Sequence, residues 1–322
     1  MITVLRTRNI DMTTTAIVFP GQGSQKLGML GDYYARFNEV KQTFTEANDA
    51  LGFDLWQITQ ENEDKLNQTE YTQPALLAAS IAVWRVLNNH SNIIPEILAG
   101  HSLGEYSALC AAGSIDFADA LRLVRLRGQL MQSAITHKAC AMSAILALSN
   151  EEVIKCCDQA RSVGIVEPAN FNSHGQVVIS GELQAVEKAN EIAKEMGAKR
   201  AQLLPVSVPS HCSLMKEAAE KFATALDKIT IKVPAIKVIH NYDVQSHTDI
   251  NEIKTALVKQ LYSPVKWTQT IEKMAELGIT NVIECGANKV LTGLNKRIVK
   301  ELNYQDTASV EAMDKLLEQV KA

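Results

Sequence analysis

One short segment, Gly100-His101-Ser102-Leu103-Gly104, constrains the fold of this chain more than any other. The apolar residues Ile97-Leu98-Ala99 before it predict the end of a buried strand, and residues Leu103–Ala112 after it predict a helix. A strand that turns so sharply into a helix needs glycines, because the neighbouring backbones approach closely. The segment therefore predicts an α/β fold with Ser102 at a helix N-terminus, where backbone N–H groups can stabilise an oxyanion. An ordinary tight turn is the alternative.

Short apolar strands, predicted at 16–19, 97–99 and 281–284 among others, alternate with amphipathic helices, predicted near 31–50 and 74–90 among others. This alternation is typical of α/β proteins. From residue 138 to 207 the order changes to strand, helix, two strands joined by a turn at Asn172–Gly175, helix and strand. That order is typical of the split βαβ, or ferredoxin-like, unit. We therefore expect a large subdomain of residues 12–137 and 208–322 with a small subdomain inserted at 138–207. Residues 1–11 form an extension to which we assign no role.

Composition excludes several classes of protein. A net charge of −4 leaves no basic surplus to neutralise phosphates, which argues against nucleic-acid binding. The six cysteines include no Cys-x-x-Cys pair, so we expect a reduced, cytoplasmic chain without a zinc site. No apolar stretch approaches the roughly 20 residues that cross a bilayer, and no apolar segment typical of a secretory signal follows the N-terminus. We therefore expect no membrane, nucleic-acid or metal partner.

A serine hydroxyl becomes an effective nucleophile only when a base removes its proton. Among the seven histidines, His211 has the most suggestive position. The preceding residues Val206–Ser210 end a strand and a helix begins near Leu214, so His211 lies at the boundary of the insertion, where clefts form. His101 adjoins Ser102 in sequence but should point elsewhere across the turn. His211 is therefore the candidate base, with a structural histidine as the alternative.

Arg127 is the most informative residue after Ser102. On a helical wheel at 100° per residue, it falls in the same narrow arc as Ala120, Val124 and Met131. An arginine stays charged in proteins, and its burial without a partner costs several kcal/mol. Arg127 therefore needs an anionic partner. That partner is either a protein carboxylate in an internal salt bridge or a substrate carboxylate held by two parallel hydrogen bonds.

The segment Gly21-Gln22-Gly23-Ser24-Gln25 follows the first predicted strand. It is not a phosphate-binding loop, because it lacks the Walker A pattern and Lys26 occupies the place of the third glycine in a dinucleotide-binding fingerprint. A flexible loop at this point could offer a second backbone N–H group to an oxyanion. A glycine-rich turn without function is the alternative.

Several motifs together resemble the malonyl-CoA:acyl carrier protein transacylase family of bacterial type II fatty acid synthesis, over about Thr15 to Arg297. They are Pro20–Gln25, Gly100–Tyr106, Arg127-Gly128, Pro209–Cys212 and Val290–Leu294. The resemblance implies an α/β-hydrolase-like large subdomain with an inserted ferredoxin-like small subdomain. It also implies a coenzyme A thioester as substrate and no permanently bound cofactor. We expect a cytoplasmic monomer.

The resemblance implies a ping-pong reaction. Ser102 would attack the thioester of malonyl-CoA, with His211 as the base and then as the acid toward the departing thiol. The phosphopantetheine thiol of acyl carrier protein would then attack the malonyl-serine ester. Arg127 would pair with the malonyl carboxylate throughout.

The resemblance also assigns supporting roles. The backbone N–H groups of Gln22 and Leu103 would form the oxyanion hole, and the backbone carbonyl of Gln260 would orient His211 in place of the aspartate of a triad. Gln73 and Asn172 match positions in the pocket. Acyl carrier proteins are strongly acidic, so we expect them to dock on basic residues near the cleft. The candidates, which we call the basic patch, are Lys199, Arg200, Lys289, Lys296 and Arg297. Scattered solvated charges without a docking role are the alternative.

Two other functions use the same residues. A serine esterase or thioesterase needs the same nucleophile and base, but a hydrolase of neutral esters has no use for a buried cation beside Ser102. A non-catalytic docking component of a synthase complex has no need to keep Ser102, His211 and Arg127 together. Arg127 therefore favours transfer of an acyl group that carries a carboxylate.

Overall fold

The structure is a computed structural model that describes residues 14–134, 139–206 and 208–321. The predicted extension 1–11 lies outside these residues. The first and last residues of the predicted insertion, 138 and 207, also lie outside them.

Nine strands form two separate sheets in the described part of the chain. They are β1 Thr15–Phe19, β2 Ile97–Gly100, β3 Cys140–Leu146, β4 Val166–Ser173, β5 Gln176–Glu182, β6 Arg200–Leu203, β7 Lys237–Ile239, β8 Asn281–Glu284 and β9 Asn303–Asp306. One sheet is parallel, in the order β7-β2-β1-β8-β9. The other is antiparallel, in the order β4-β5-β3-β6. The predicted α/β fold is confirmed, and it combines a parallel sheet with a separate antiparallel one.

Helices connect the strands and pack against both sheets. They are α1 Gly31–Arg36, α2 Asn38–Leu51, α3 Leu55–Glu61, α4 Glu63–Leu66, α5 Thr69–His90, α6 Gly104–Ala111, α7 Phe117–Ser133, α8 Asn150–Ala160, α9 Leu183–Glu195, α10 Lys216–Leu226, α11 Ile250–Tyr262, α12 Trp267–Glu276, α13 Val290–Ile298 and α14 Val310–Lys321. A turn of 3-10 helix, Ser213–Met215, precedes α10. Within the described ranges, no helix is both long and apolar enough to cross a membrane.

Some boundaries differ from the prediction. The single helix expected over 31–50 is two helices, because Phe37 is extended between them. The helix expected to start at Pro74 starts at Thr69, since the turn before the proline is held by hydrogen bonds from Thr72 Oγ1 to the carbonyls of Leu66 and Gln68. The last strand and helix, β9 and α14, were not predicted.

The two central strands position the candidate site. The whole of β1 and β2 is buried, and their register pairs Phe19 with Gly100, so that both strands end at the same edge of the sheet. The turn after β2 is very close to β1. A Cβ atom added at Gly104 would lie 2.0 Å from the Phe19 carbonyl oxygen, and one at Gly100 would lie 1.8 Å from the carbonyl carbon of Gly104. Only glycine fits at these two positions, as the sequence predicted.

Candidate active site

Ser102 lies at the sharp turn between β2 and α6. Its backbone is left-handed, with φ 51°, which is uncommon for a residue other than glycine. Two hydrogen bonds hold this turn: the His101 N–H group donates to the Phe19 carbonyl at 3.0 Å, and the Ser102 N–H group donates to Asn241 Oδ1 at 2.7 Å. The strained backbone of Ser102 is therefore fixed by the end of β1 on one side and by the turn after β7 on the other.

His211 contacts the Ser102 hydroxyl directly. The distance from Ser102 Oγ to His211 Nε2 is 2.7 Å, and His211 Nδ1 lies 2.7 Å from the backbone carbonyl oxygen of Gln260 in α11. Because a carbonyl only accepts, Nδ1 carries the proton and Nε2 is free to accept from the serine. His211 also has a left-handed backbone, with φ 63°. The pair has the geometry of a nucleophile and its general base.

The environment of His211 keeps the imidazole neutral. Burial of the ring is the largest cause and the nearby Arg127 cation the next, and together they lower the pKa of His211 to about 3. Only the neutral imidazole can accept a proton from Ser102. The site therefore holds its base in the active form at neutral pH.

Arg127 is 1% exposed and points from α7 toward Ser102. Its Nη1 group donates to Gln73 Oε1 at 3.0 Å, and Nη2 donates to Gln260 Oε1 at 3.0 Å and to Ser102 Oγ at 3.3 Å. The aromatic face of Tyr106 lies 5.3 Å from the guanidinium carbon. Among the described residues, no carboxylate forms an ion pair with Arg127. Every protein group that accepts from this buried cation is therefore neutral.

Gln22 and Leu103 line the same cavity as Ser102. Leu103 directly precedes α6, and Gln22 belongs to the loop after β1. A Cβ atom at Gly21 would lie 2.3 Å from the His101 carbonyl oxygen, so this loop packs tightly against the serine turn. In the described part of the chain, neither N–H group donates to another protein group. Both donors are available to a ligand.

A cavity of about 280 Å³ opens above Ser102, between the two sheets. Ser102, Arg127 and His211 line one side, and Met142, Asn172 and Val178 of the antiparallel sheet line the other. Asn172 Oδ1 lies 2.8 Å from His101 Nε2, which joins β4 to the serine turn. Gln73 and Gln260 stand behind Arg127 and are fully buried.

All five residues of the basic patch are exposed, and Arg297 Nη1 donates to Gln176 Oε1 of β5. No group of three or more His, Cys, Asp or Glu side chains in the described ranges could hold a metal ion.

Sequence reasoning missed three residues beside Ser102. Asn241 accepts from the Ser102 N–H group and donates through Nδ2 to the Gly100 carbonyl at 2.7 Å. Glu105 and His240 are fully buried and form a hydrogen bond, with Oε1 and Nδ1 2.7 Å apart. The side chain of Gln260 was also missed, since only its carbonyl had been assigned a role.

Comparison with known proteins gives matches over almost the whole chain. The acyl transferase domain family matches residues 16–321. The malonyl CoA-acyl carrier protein transacylase of Haemophilus influenzae is 53% identical over 311 residues, covering 95% of this chain and all of the relative. The crystal structure of an acyl carrier protein S-malonyltransferase from Vibrio cholerae has a TM-score of 0.92 at 53% identity, covering 94% of this chain and all of that one. A malonyl-transacylase solved in complex with a type II PKS acyl-carrier protein has a TM-score of 0.93 at 50% identity, covering 95% and 99%.

Proposed function

The chain belongs to the acyl transferase family, as a member of the malonyl CoA-acyl carrier protein transacylases, and we propose that it works by a ping-pong mechanism. In this proposal a malonyl group passes from malonyl-CoA to Ser102 and then to the phosphopantetheine thiol of acyl carrier protein, for fatty acid synthesis. The names of the relatives support the two substrates. The contacts of Ser102 support the covalent intermediate.

In the first half-reaction His211 Nε2 takes the proton of Ser102 Oγ as the oxygen attacks the thioester carbon. The Gln22 and Leu103 N–H groups stabilise the negative charge that develops on the carbonyl oxygen. The C–S bond then breaks, and His211 returns the proton to the sulfur of coenzyme A. The Gln260 carbonyl accepts from Nδ1–H throughout, which stabilises the transient imidazolium and holds the ring in place.

In the second half-reaction the same groups act on the other thiol. His211 takes a proton from the phosphopantetheine thiol, whose sulfur attacks the malonyl-serine ester. As the ester C–O bond breaks, His211 gives the proton back to Ser102 Oγ. The enzyme returns to its starting state without any permanently bound cofactor.

The surroundings of Arg127 are the observation that carries the malonyl assignment. A buried guanidinium lies 3.3 Å from Ser102 Oγ, and its protein acceptors are neutral oxygens. An acyl group with a free carboxylate on the carbon next to the thioester carbonyl can reach this cation while it is bonded to Ser102. A hydrolase of neutral esters would gain nothing from it, and neither would an inert docking component.

We also propose that the fold divides into a large subdomain and an inserted small one. The strand order β4-β5-β3-β6 and the connections through α8 and α9 support a ferredoxin-like insertion over residues 138–207. The turn from β2 to α6 supports an α/β-hydrolase-like large subdomain over 12–137 and 208–322. A monomeric state, a cytoplasmic location and docking of acyl carrier protein on the basic patch remain predictions.

Intact-mass measurement tests the mechanism. After brief exposure to malonyl-CoA the protein should gain the mass of one malonyl group and lose it when acyl carrier protein with its phosphopantetheine arm is added. Ser102→Ala should gain nothing. Ser107→Ala, which removes another buried hydroxyl in α6, is the matched control and should behave as the wild type. An adduct that persists in Ser102→Ala, or one that water discharges as fast as carrier protein does, would contradict the proposal.

A further inference from the structure

Glu105 is a fully buried carboxylate on the first turn of α6, three residues after Ser102. Three N–H donors converge on it. His240 Nδ1 lies 2.7 Å from Oε1, and the Asn241 backbone N–H and Gln260 Nε2 donate to Oε2 at 2.9 and 2.8 Å. Both oxygens of the Glu105 carboxylate therefore have N–H donors in the protein interior. The proposed mechanism gives this carboxylate no role.

The side-chain amide of Gln260 connects Glu105 to Arg127. Gln260 Nε2 donates to Glu105 Oε2, while Gln260 Oε1 accepts from Arg127 Nη2 at 3.0 Å. The two charges fix the orientation of the amide, because its oxygen must face the cation and its nitrogen the anion. A buried anion and a buried cation therefore stand one amide apart instead of pairing directly.

This spacing has a consequence for the binding of an anionic acyl group. An arginine paired directly with a carboxylate would have to break that pair before a substrate could bind. A buried arginine with no counter-charge would hold the acyl carboxylate tightly in substrate, intermediate and product alike. Glu105 lies one amide away from Arg127, so its negative charge weakens the electrostatic attraction between Arg127 and a substrate carboxylate. At this distance Glu105 does not occupy the guanidinium N–H groups, which stay accessible to the substrate.

We propose that Glu105 sets the affinity of the acyl site for carboxylate-bearing acyl groups, as the distant counter-charge of Arg127. The inference rests on the proposed function, because it assumes that Arg127 binds the malonyl carboxylate. It makes Glu105 a specificity-determining residue that touches neither substrate nor the reacting atoms.

Glu105→Gln removes the charge and retains the shape. The new amide oxygen can accept from the Asn241 N–H group and from Gln260 Nε2. Its NH₂ group can donate to His240 Nδ1 once the imidazole proton moves to Nε2, and Nε2 has no hydrogen-bond partner among the described residues. The hydrogen bonds around the site therefore have a counterpart in the variant, and the lost charge is the main difference.

The experiment measures the concentrations of malonyl-CoA and acetyl-CoA that half-saturate acylation of Ser102. In Glu105→Gln the malonyl-CoA concentration should fall roughly tenfold, while the acetyl-CoA concentration changes less than twofold. Discharge to carrier protein should slow, since the malonyl group is held more tightly. Glu105→Asp keeps the charge and alters the hydrogen bonds, so its half-saturating malonyl-CoA concentration should stay within about twofold of the wild type.

Glu284→Gln is the matched control. Glu284 is a second buried carboxylate, at the end of strand β8, and it accepts from the Leu291 and Thr292 N–H groups instead of reaching Arg127 through an amide. This variant should leave both half-saturating concentrations unchanged. A shift equal to that of Glu105→Gln would show that loss of any buried carboxylate has the effect, and would overturn the proposal.

Two other outcomes would also overturn it. One is an unchanged or higher half-saturating malonyl-CoA concentration in Glu105→Gln, and the other is a large shift in Glu105→Asp. Failure of the proposed function has a different signature, because the wild type itself would then carry no malonyl adduct on Ser102. If the wild type is acylated and Arg127→Ala loses its malonyl preference while Glu105→Gln does not differ from wild type, only this inference fails.

Discussion

Replacement of Arg127 by alanine separates recognition of the acyl carboxylate from the chemistry at Ser102. The guanidinium of Arg127 is 1% exposed and forms no direct ion pair with any described residue. A substrate carboxylate would therefore be its only anionic hydrogen-bond partner. A charge-assisted hydrogen bond contributes about 1.5 to 3 kcal/mol. Two such bonds contribute about 3 to 6 kcal/mol, and subtracting about 1 kcal/mol for each bond to a neutral oxygen that they replace leaves about 1 to 4 kcal/mol. The preference for malonyl over acetyl should therefore fall roughly 10- to 10³-fold.

The assay compares the rates at which malonyl-CoA and acetyl-CoA acylate Ser102, by rapid quench and intact mass. Acetyl transfer should fall much less, because an acetyl group has no carboxylate for Arg127 to bind. Arg122→Ala is the control, since Arg122 lies on the same helix but is exposed and paired with Asp119. An equal loss for both acyl groups in Arg127→Ala would refute the reasoning and leave Arg127 a structural role.

Three further predictions concern the turn, the base and the docking surface. Gly104→Ala should lower the free energy of unfolding by more than about 3 kcal/mol in chemical denaturation, because the added Cβ would overlap the Phe19 carbonyl. Gly293→Ala, in helix α13 with open space around it, should instead raise the free energy of unfolding by up to about 1 kcal/mol. Because the pKa of His211 is lowered to about 3, the acylation rate should stay constant from about pH 8 to 5. Arg127→Ala removes one cause of this lowering, so the pKa of His211 should rise in the variant. The fall of the acylation rate at acid pH should then begin at a higher pH. If acyl carrier protein docks on the basic patch, discharge of the malonyl-enzyme should slow as salt is added, through screening, and a salt-independent rate would contradict this.

The parts of the fold that the sequence predicted best are those buried on both faces. Strands β1, β2 and β8 are short, wholly buried runs, and each lies within two residues of its predicted position. Strand β9 escaped prediction because its residues, Asn303–Asp306, are polar and it forms the edge of the sheet. An edge strand pairs on one side only, so it needs no apolar pattern that a sequence could reveal.

Some residues of the candidate site could be predicted from local sequence patterns, and others could not. Ser102 followed from its glycines and Arg127 from its place on the apolar face of α7, and both are local patterns. The position of His211 suggested a cleft but not a partner. That its Nδ1 group donates to the Gln260 carbonyl came only from the family resemblance, because a backbone carbonyl carries no signature in the sequence.

The burial of Glu105 could also have been predicted from the sequence. Every residue of α6 from Gly104 to Leu109 is buried, and the helix has no polar face on which a glutamate could meet solvent. A glutamate in such a helix must be buried, and a buried carboxylate needs donors. The donors lie 135 or more residues away in the chain, at His240, Asn241 and Gln260. The sequence can therefore show that a charge needs partners, but only the packing of distant segments can show that one of those partners leads to Arg127.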